Sequence, residues 1–190
     1  MTSSVNLYLV APLSGTLRSI EESIDPVFSG RLIGDGITID PEDSLVLAPC
    51  DGTISQLHDA KHAIAIKTDS GLEVLIHVGV DTVILKGDGF EAYASIGDKV
   101  TVGQKLLSFN AKVIDAKAAS LQTAMMITTG ETGVVIHQGS KVIAGETKVF
   151  AIGANVAATL ASVVVAAVVT TAVVVCASSV HQSINPSIVP

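Results

Sequence analysis

Lys-His-Ala-Ile-Ala-Ile at 61–66 and Leu-Ile-His-Val-Gly-Val-Asp-Thr-Val at 75–83 are two apolar runs that flank the polar segment Thr-Asp-Ser-Gly at 68–71. Apolar runs on either side of an Asp/Ser/Gly segment are typical of a β-hairpin. Each run carries one histidine, His62 in the first and His77 in the second. Folding back at the turn makes them near cross-strand neighbours, although the register, and therefore a shared face, is left open. Two imidazoles this close predict a site for chemistry near neutral pH, where histidine titrates.

Similar short runs, broken by Gly, Asp and Pro, continue from about residue 5 to residue 152. Examples lie at 37–40, 45–48, 73–77, 105–109 and 133–137. Strands at such regular spacing predict an all-β fold, an antiparallel β-sandwich or flattened barrel. Only Val113–Leu121, which contains Ala, Lys and Asp, has the composition of a short helix.

The same region repeats itself. Ala-Pro-Leu-Ser-Gly-Thr-Leu at 11–17 returns as Ala-Pro-Cys-Asp-Gly-Thr-Ile at 48–54, and Gly-Asp-Lys-Val-Thr-Val-Gly at 97–103 returns loosely as Gly-Ser-Lys-Val-Ile-Ala-Gly at 139–145. Internal duplication of this kind predicts a pseudo-symmetric sandwich built from two similar halves.

The composition limits the kind of partner. Eleven basic and 18 acidic residues give a net charge of −7, and aromatic residues are 3% of the chain. Without a Lys/Arg cluster or stacking platforms, we expect no nucleic-acid partner. Cys50 and Cys176 lack the spacing of a disulfide framework or zinc site, which fits a reducing compartment. The N-terminus lacks the features of a signal peptide, so we expect a cytoplasmic body.

The last part of the chain has a different character. Every charged residue lies at or before Lys148, and beyond Ile152 the sequence is mostly Ala, Val, Thr and Ser. We therefore place a boundary between a domain at 1–152 and an uncharged tail at 153–190. Residues 156–180 are long enough to cross a bilayer as a helix, which would hold the domain at the inner face of the cell membrane. The alternative is a weakly ordered, β-prone extension that self-associates.

The histidine pair allows several chemistries. A neutral imidazole can attack phosphorus, a second imidazole can donate a hydrogen bond to a phosphoryl oxygen, and backbone N–H groups near Gly79 can serve other oxygens. Catalytic zinc would need a third ligand, such as Asp81, His58 or His137, but the chain has no His-Glu-x-x-His signature. No Gly-x-Ser-x-Gly motif indicates a Ser-His-Asp hydrolase. We expect neither a metal nor a cofactor.

Several motifs occur in the order found in one known family. They are Ala-Pro-x-Ser-Gly (11–15), Asp-Pro-Val-Phe (25–28), Gly-Asp-Gly-Ile (34–37), Ala-Pro-x-Asp-Gly-Thr-Ile (48–54), Lys-His-Ala (61–63), His-Val-Gly-Val-Asp-Thr-Val (77–83), Leu-Lys-Gly-x-Gly-Phe (85–90) and Gly-Glu-Thr (145–147). Across about residues 5–152 the chain resembles the glucose-type EIIA domain of the bacterial phosphoenolpyruvate-dependent sugar phosphotransferase system.

The resemblance implies a function and roles for particular residues. His77 would accept a phosphoryl group from phospho-HPr and pass it to a cysteine on the EIIB domain of a sugar permease, with His62 as its phosphate-stabilising partner. The other implied positions are two flanking carboxylates, an apolar docking rim and the glycine of the motif: Asp25 and Asp81, Val27 and Phe28, and Gly79.

The chain departs from the family at Ala60, where a Thr that hydrogen-bonds within the histidine pair is frequent. Two other functions stay open from the sequence. The domain could be a regulatory docking module without chemistry, or a biotinyl/lipoyl-like carrier, although the required Lys setting is absent at Met125-Met126 and at 115–117. The transported sugar is not encoded on this chain.

Overall fold

The computed structural model describes residues 7–153, which form fourteen strands and a few helical turns. In chain order the strands are β1 Leu7–Val10, β2 Gly15–Ser19, β3 Asp35–Pro41, β4 Leu45–Leu47, β5 Gly52–Leu57, β6 Ala63–Lys67, β7 Glu73–His77, β8 Phe90–Ala92, β9 Lys99–Val100, β10 Lys105–Phe109, β11 Thr123–Ile127, β12 Gly133–Val135, β13 Lys141–Val142 and β14 Lys148–Ile152. The helices are α1 Pro26–Ser29 and α2 Ala111–Asp115, and two 3-10 turns lie at Ile20–Glu22 and Thr82–Leu85.

The strands form antiparallel sheets that enclose one large apolar core. An eight-stranded sheet has the order β13-β2-β3-β11-β7-β6-β5-β9, and two three-stranded sheets have the orders β1-β14-β12 and β4-β10-β8. Fully buried side chains such as Leu17, Ile39, Ile64, Ile76 and Phe150 come from strands of different sheets. The all-β prediction is confirmed, and alternation of inward and outward side chains is its physical basis.

The predicted hairpin is confirmed with its register. β6 and β7 pair antiparallel, with Ala63 opposite His77 and Lys67 opposite Glu73. The turn closes where the Thr68 N–H donates to the Leu72 carbonyl (2.8 Å). β7 also pairs with β11, so the strand that carries His77 is central in its sheet.

The helix predicted at Val113–Leu121 was wrong in its bounds. α2 begins at Ala111 because the Asn110 side chain accepts hydrogen bonds from the N–H groups of Lys112 and Val113, which caps the helix there. The helix ends at Asp115. Ser120, which the prediction placed in the helix, forms an antiparallel β-bridge with Val80. The predicted strand at 133–137 ends earlier, at Val135.

The internal duplication appears as equivalent hydrogen bonds. The repeat positions are 48 − 11 = 37 residues apart, so Val10 corresponds to Leu47 and Pro12 to Pro49. The Leu47 N–H donates to the Pro12 carbonyl (2.8 Å), and the Val10 N–H donates to the Pro49 carbonyl (3.0 Å). Each copy of the repeat thus donates to the other copy the same hydrogen bond that it accepts from it. Two equivalent, reciprocal contacts are what a pseudo-two-fold axis requires.

The strand order has the same symmetry. Gly15 of β2 lies opposite Val142 of β13, and Gly52 of β5 lies opposite Val100 of β9. Read from its two ends, the eight-stranded sheet therefore matches β13-β2-β3-β11 with β9-β5-β6-β7. The histidine hairpin β6–β7 is the half of the second four-strand unit that lies toward the centre of the sheet.

Most of the tail predicted at 153–190, including residues 156–180, lies outside the described residues. Within 7–153, the helices are too short to cross a membrane.

Candidate functional site

His77 is the last residue of β7 and lies between two small neighbours. Ala63 on β6 and Ala124 on β11 are directly opposite it on the adjacent strands. Because an alanine side chain stops at Cβ, neither neighbour covers the imidazole from the side. The ring is half-buried and lines a cavity.

His62 faces His77 although regular strand alternation would separate them. Ala63 is opposite His77, so His62, one residue earlier, would point to the other face of an ideal sheet. His62 precedes the first residue of β6 and follows Lys61, whose φ is +56°. Its side chain is therefore outside regular strand geometry, and the two ring centroids lie 4.8 Å apart at an interplanar angle of 74°.

A hydrogen bond to the backbone determines which nitrogen of His77 is free. Nδ1 of His77 lies 2.9 Å from the carbonyl oxygen of Gly79. A carbonyl only accepts, so Nδ1 carries the proton and donates, and the lone pair of the neutral ring is on Nε2. The expectation from the sequence that N–H groups near Gly79 serve phosphoryl oxygens stays a prediction; the contact that the structure shows at Gly79 is the one between its carbonyl and the His77 ring.

Gly79 has a conformation and surroundings that only glycine fits. Its φ is +71°, and a Cβ there would lie 2.5 Å from Cγ2 of Thr82 and 2.8 Å from the Ser120 carbonyl oxygen. The absence of a side chain lets the turn after β7 bring its carbonyl back to His77.

Burial keeps both imidazoles neutral. The pKa of His62 is lowered to about 4, first by desolvation and then by repulsion from His77 and His58. The pKa of His77 is also lowered, mainly by desolvation, while the hydrogen bond to Gly79 and the negative charge of Asp25 act in the opposite direction. At neutral pH the Nε2 lone pair of His77 is thus available for nucleophilic attack.

His62 has a buried nitrogen without a partner. The side chain is 3% exposed, and its Nδ1 makes no hydrogen bond. An unpaired buried lone pair is tolerated better than an unpaired buried N–H, which favours the tautomer with the proton on Nε2. Ala60 is at the nearby position where a hydroxyl is frequent in the resembled family, and it offers none.

The segment 25–28 places an acid and an aromatic ring beside His77. Asp25 caps α1, with its side chain accepting from the Val27 N–H (2.8 Å). Pro26 at the first helical position has a fixed φ that suits this start. The ring of Phe28, 4% exposed, packs edge-on against the His77 ring at 5.2 Å. Val27 is 41% exposed, so this apolar side chain is available for a contact outside the domain.

The two predicted flanking carboxylates are in different situations. Asp25 is the one whose charge acts on His77. Asp81 is exposed and precedes the 3-10 turn Thr82–Leu85 with a φ of +60° and no side-chain capping bond. That turn exposes Val83 and Ile84 to solvent, next to the His77–Asp81 segment.

Sequence reasoning considered His58 only as a zinc ligand and missed its place beside the pair. Its ring centroid lies 4.3 Å from that of His62. His58, His62 and His77 line one cavity of about 540 Å³, together with Gln56, Leu57, Asp59, Ala63 and Leu75. The spacing His-x-x-x-His and the predicted strand after it were the available signals. Within residues 7–153, no three His, Cys, Asp or Glu side chains are grouped so as to hold a metal ion.

Comparison with known proteins gives a consistent result. The family model of the phosphoenolpyruvate-dependent sugar phosphotransferase system, EIIA 1, matches residues 7–133. The "PTS system glucose-specific EIIA component" of Bacillus cereus is 52% identical over 120 residues, which cover 63% of this chain and 73% of the relative. The protein of the same name from Staphylococcus aureus is 40% identical over 152 residues, covering 79% and 92%.

A solved structure has the same architecture. Glucose permease IIA from Mycoplasma capricolum superposes with a TM-score of 0.73 at 33% identity, covering 79% of this chain and 98% of that one. The docking-module and biotinyl/lipoyl alternatives are not favoured by these relatives. The chain belongs to the EIIA 1 family of the phosphoenolpyruvate-dependent sugar phosphotransferase system, and it is a phosphocarrier of that system.

Proposed function

We propose that Nε2 of His77 is the atom that carries the phosphoryl group. The observation that supports this most directly is the hydrogen bond from Nδ1 to the Gly79 carbonyl (2.9 Å), which leaves the lone pair on Nε2. The depressed pKa of the ring keeps that lone pair unprotonated at neutral pH. The small flanking residues Ala63 and Ala124 leave room for a donor to approach.

The donor in this transfer is phospho-HPr, and the acceptor is an EIIB domain of a sugar permease. The Nε2 lone pair forms a new N–P bond as the bond between phosphorus and the donor nitrogen breaks. In the second step a cysteine thiolate of EIIB forms an S–P bond as the N–P bond at His77 breaks; the electron pair of that bond returns to Nε2, which restores the neutral ring with its proton on Nδ1. Nε2–H of His62 would donate to a phosphoryl oxygen in both steps.

Exposed apolar side chains near His77 suit the docking of both partners. Val27 on α1, and Val83 and Ile84 on the 3-10 turn, are each at least 41% exposed. Charge complementarity would direct a partner with a basic surface to this acidic chain, whose net charge is −7.

We further propose that the phosphocarrier domain is 1–152 and that 153–190 is a separate segment. The last strand, β14, ends at Ile152, and all charged residues lie at or before Lys148. Residues 156–180 would mediate any association with the membrane.

The test is the intact mass of the full chain after incubation with phosphoenolpyruvate, enzyme I and HPr. We expect one acid-labile phosphoryl group on the wild type and none on His77→Ala. His62→Gln should still accept the group and pass it on more slowly to EIIB. His137→Asn, at an exposed histidine outside the cavity, is the matched control and should be labelled like the wild type. Full labelling of His77→Ala would contradict the proposal.

A further inference from the structure

His58 is a third imidazole at the site, and neither the family motifs nor the mechanism above use it. It follows β5 directly and lies in the tight turn 58–61, where the Lys61 N–H donates to the His58 carbonyl (2.7 Å). This turn leads into β6 and brings the His58 ring within 4.3 Å of the His62 ring, with an angle of 56° between their planes. Unlike His62, the side chain of His58 is exposed.

The backbone determines the tautomer of His58. The Ala60 N–H donates to Nδ1 of His58 over 3.1 Å, so Nδ1 must offer its lone pair. The proton of the neutral ring is then on Nε2, at the opposite edge. The nitrogen that His58 has left for a ligand is therefore an N–H donor, whereas that of His77 is a lone pair.

His58 lines the same cavity as His62 and His77. The cavity, about 540 Å³, is larger than a phosphoryl group needs, and Asp59 is the carboxylate among its lining residues. A phosphoryl group on His77 brings negative charge into the cavity. N–H donors favour that charge, and a hydrogen bond to a charged group is stronger than one between neutral groups.

We propose that His58 is a phosphate-binding residue of this phosphocarrier, donating its Nε2–H to an oxygen of the phosphoryl group on His77. The inference rests on the proposed function, since it assigns a donor to the group that His77 carries. The site then consists of one nucleophilic nitrogen and two N–H donors, His62 and His58.

The experiment measures the phosphoryl equilibrium between HPr and the full chain, with labelling followed by intact mass. His58→Phe keeps a ring against His62 and removes the nitrogens, so we expect the labelled fraction, relative to phospho-HPr, to shift roughly tenfold toward HPr. His58→Gln keeps an N–H donor near the Nε2 position and should remain within about twofold of the wild type. His137→Asn is again the control and should leave the equilibrium unchanged.

Each outcome decides the proposal. Wild-type behaviour of His58→Phe, or equal losses in His58→Phe and His58→Gln, would overturn it. A larger loss in His58→Gln than in His58→Phe would also overturn it, because the ring would then act only by packing on His62. If His58→Phe does not fold, His58→Ala replaces it with the same expected loss. A wild-type chain that takes no label would instead overturn the proposed function, and this inference with it.

Discussion

At the scale of single residues, the site depends on which nitrogen of each imidazole is occupied. The Gly79 carbonyl holds the proton of His77 on Nδ1, and the Ala60 N–H occupies Nδ1 of His58. Nδ1 of His62 is buried without a partner. Three residues of one type thus have three different hydrogen-bonding states, each determined by its immediate surroundings.

The depressed pKa of His62 predicts a loss of stability in mild acid. The pKa of His62 is about 6.5 in the unfolded chain and about 4 in the folded protein. Between these two pH values the unfolded state therefore binds more protons than the folded state. The free energy of unfolding should therefore fall as the pH falls through this window. By pH 5 the contribution of His62 should be a loss of about 2 kcal/mol relative to pH 8.

Urea unfolding at several pH values checks this prediction. His62→Gln should show a loss smaller by that amount between pH 8 and pH 5, while His137→Asn should follow the wild type. Equal pH dependence in the wild type and His62→Gln would contradict the depressed pKa.

At the scale of elements, the hairpin β6–β7 and the turn after it bring the histidines together. The register places Ala63 opposite His77, and the chain then turns at Gly79 with a φ of +71°. The turn is enclosed, because Thr82 and the Ser120 carbonyl occupy the space next to the Gly79 Cα.

Gly79→Ala should destabilise the domain by at least about 2 kcal/mol, because it combines a left-handed backbone with a steric clash. Gly71→Ala is the matched control in the same hairpin. It also has a positive φ, +91°, but a Cβ there would have no atom within 4 Å. It should cost only about 1 kcal/mol. Urea unfolding measures both values, and equal losses would show that the enclosure of Gly79 has no effect.

At the scale of the whole molecule, the duplicated halves close around a shared core. The paired hydrogen bonds between 10–12 and 47–49 join the two copies, and a Cβ at Gly145 would lie 3.3 Å from Cα of Gly103, its equivalent in the other copy. The last described strand, β14, lies at the centre of the sheet β1-β14-β12, and its residues Val149, Phe150 and Ala151 are buried.

This closure predicts where the chain can be cut. A chain ending at Gly153 keeps β14 and should fold and accept the phosphoryl group like the full chain. A chain ending at Thr147 lacks the strand between β1 and β12 and should lose its cooperative unfolding transition. Circular dichroism during urea unfolding and intact-mass labelling are the measurements. An unfolded chain ending at Gly153 would contradict the proposed boundary. Vesicle flotation of the full chain, compared with the chain ending at Gly153, would test the membrane association of 156–180.

The sequence by itself determined the all-β class, the hairpin and the duplication. These depend on period-two alternation, turn residues and repetition, which are local properties that survive without knowledge of packing. The motif around His77 was sufficient to indicate the family. The start of α2 could have been predicted from the Asn110 cap, which is a local signal. Its end could not, because the bridge of Ser120 to Val80 is a tertiary contact that competes with helix propensity.

Only the tertiary structure decided that His62 and His77 face each other, that the carbonyl of Gly79 fixes the tautomer of His77, and that His58 lies against His62 in the same cavity. Strict alternation would have placed the first two on opposite faces. The physical reason is that the site forms where strands end, with Lys61 and Gly79 at positive φ. Side-chain direction at such positions is determined by turn geometry and by neighbours distant in the chain, which residue patterns do not record.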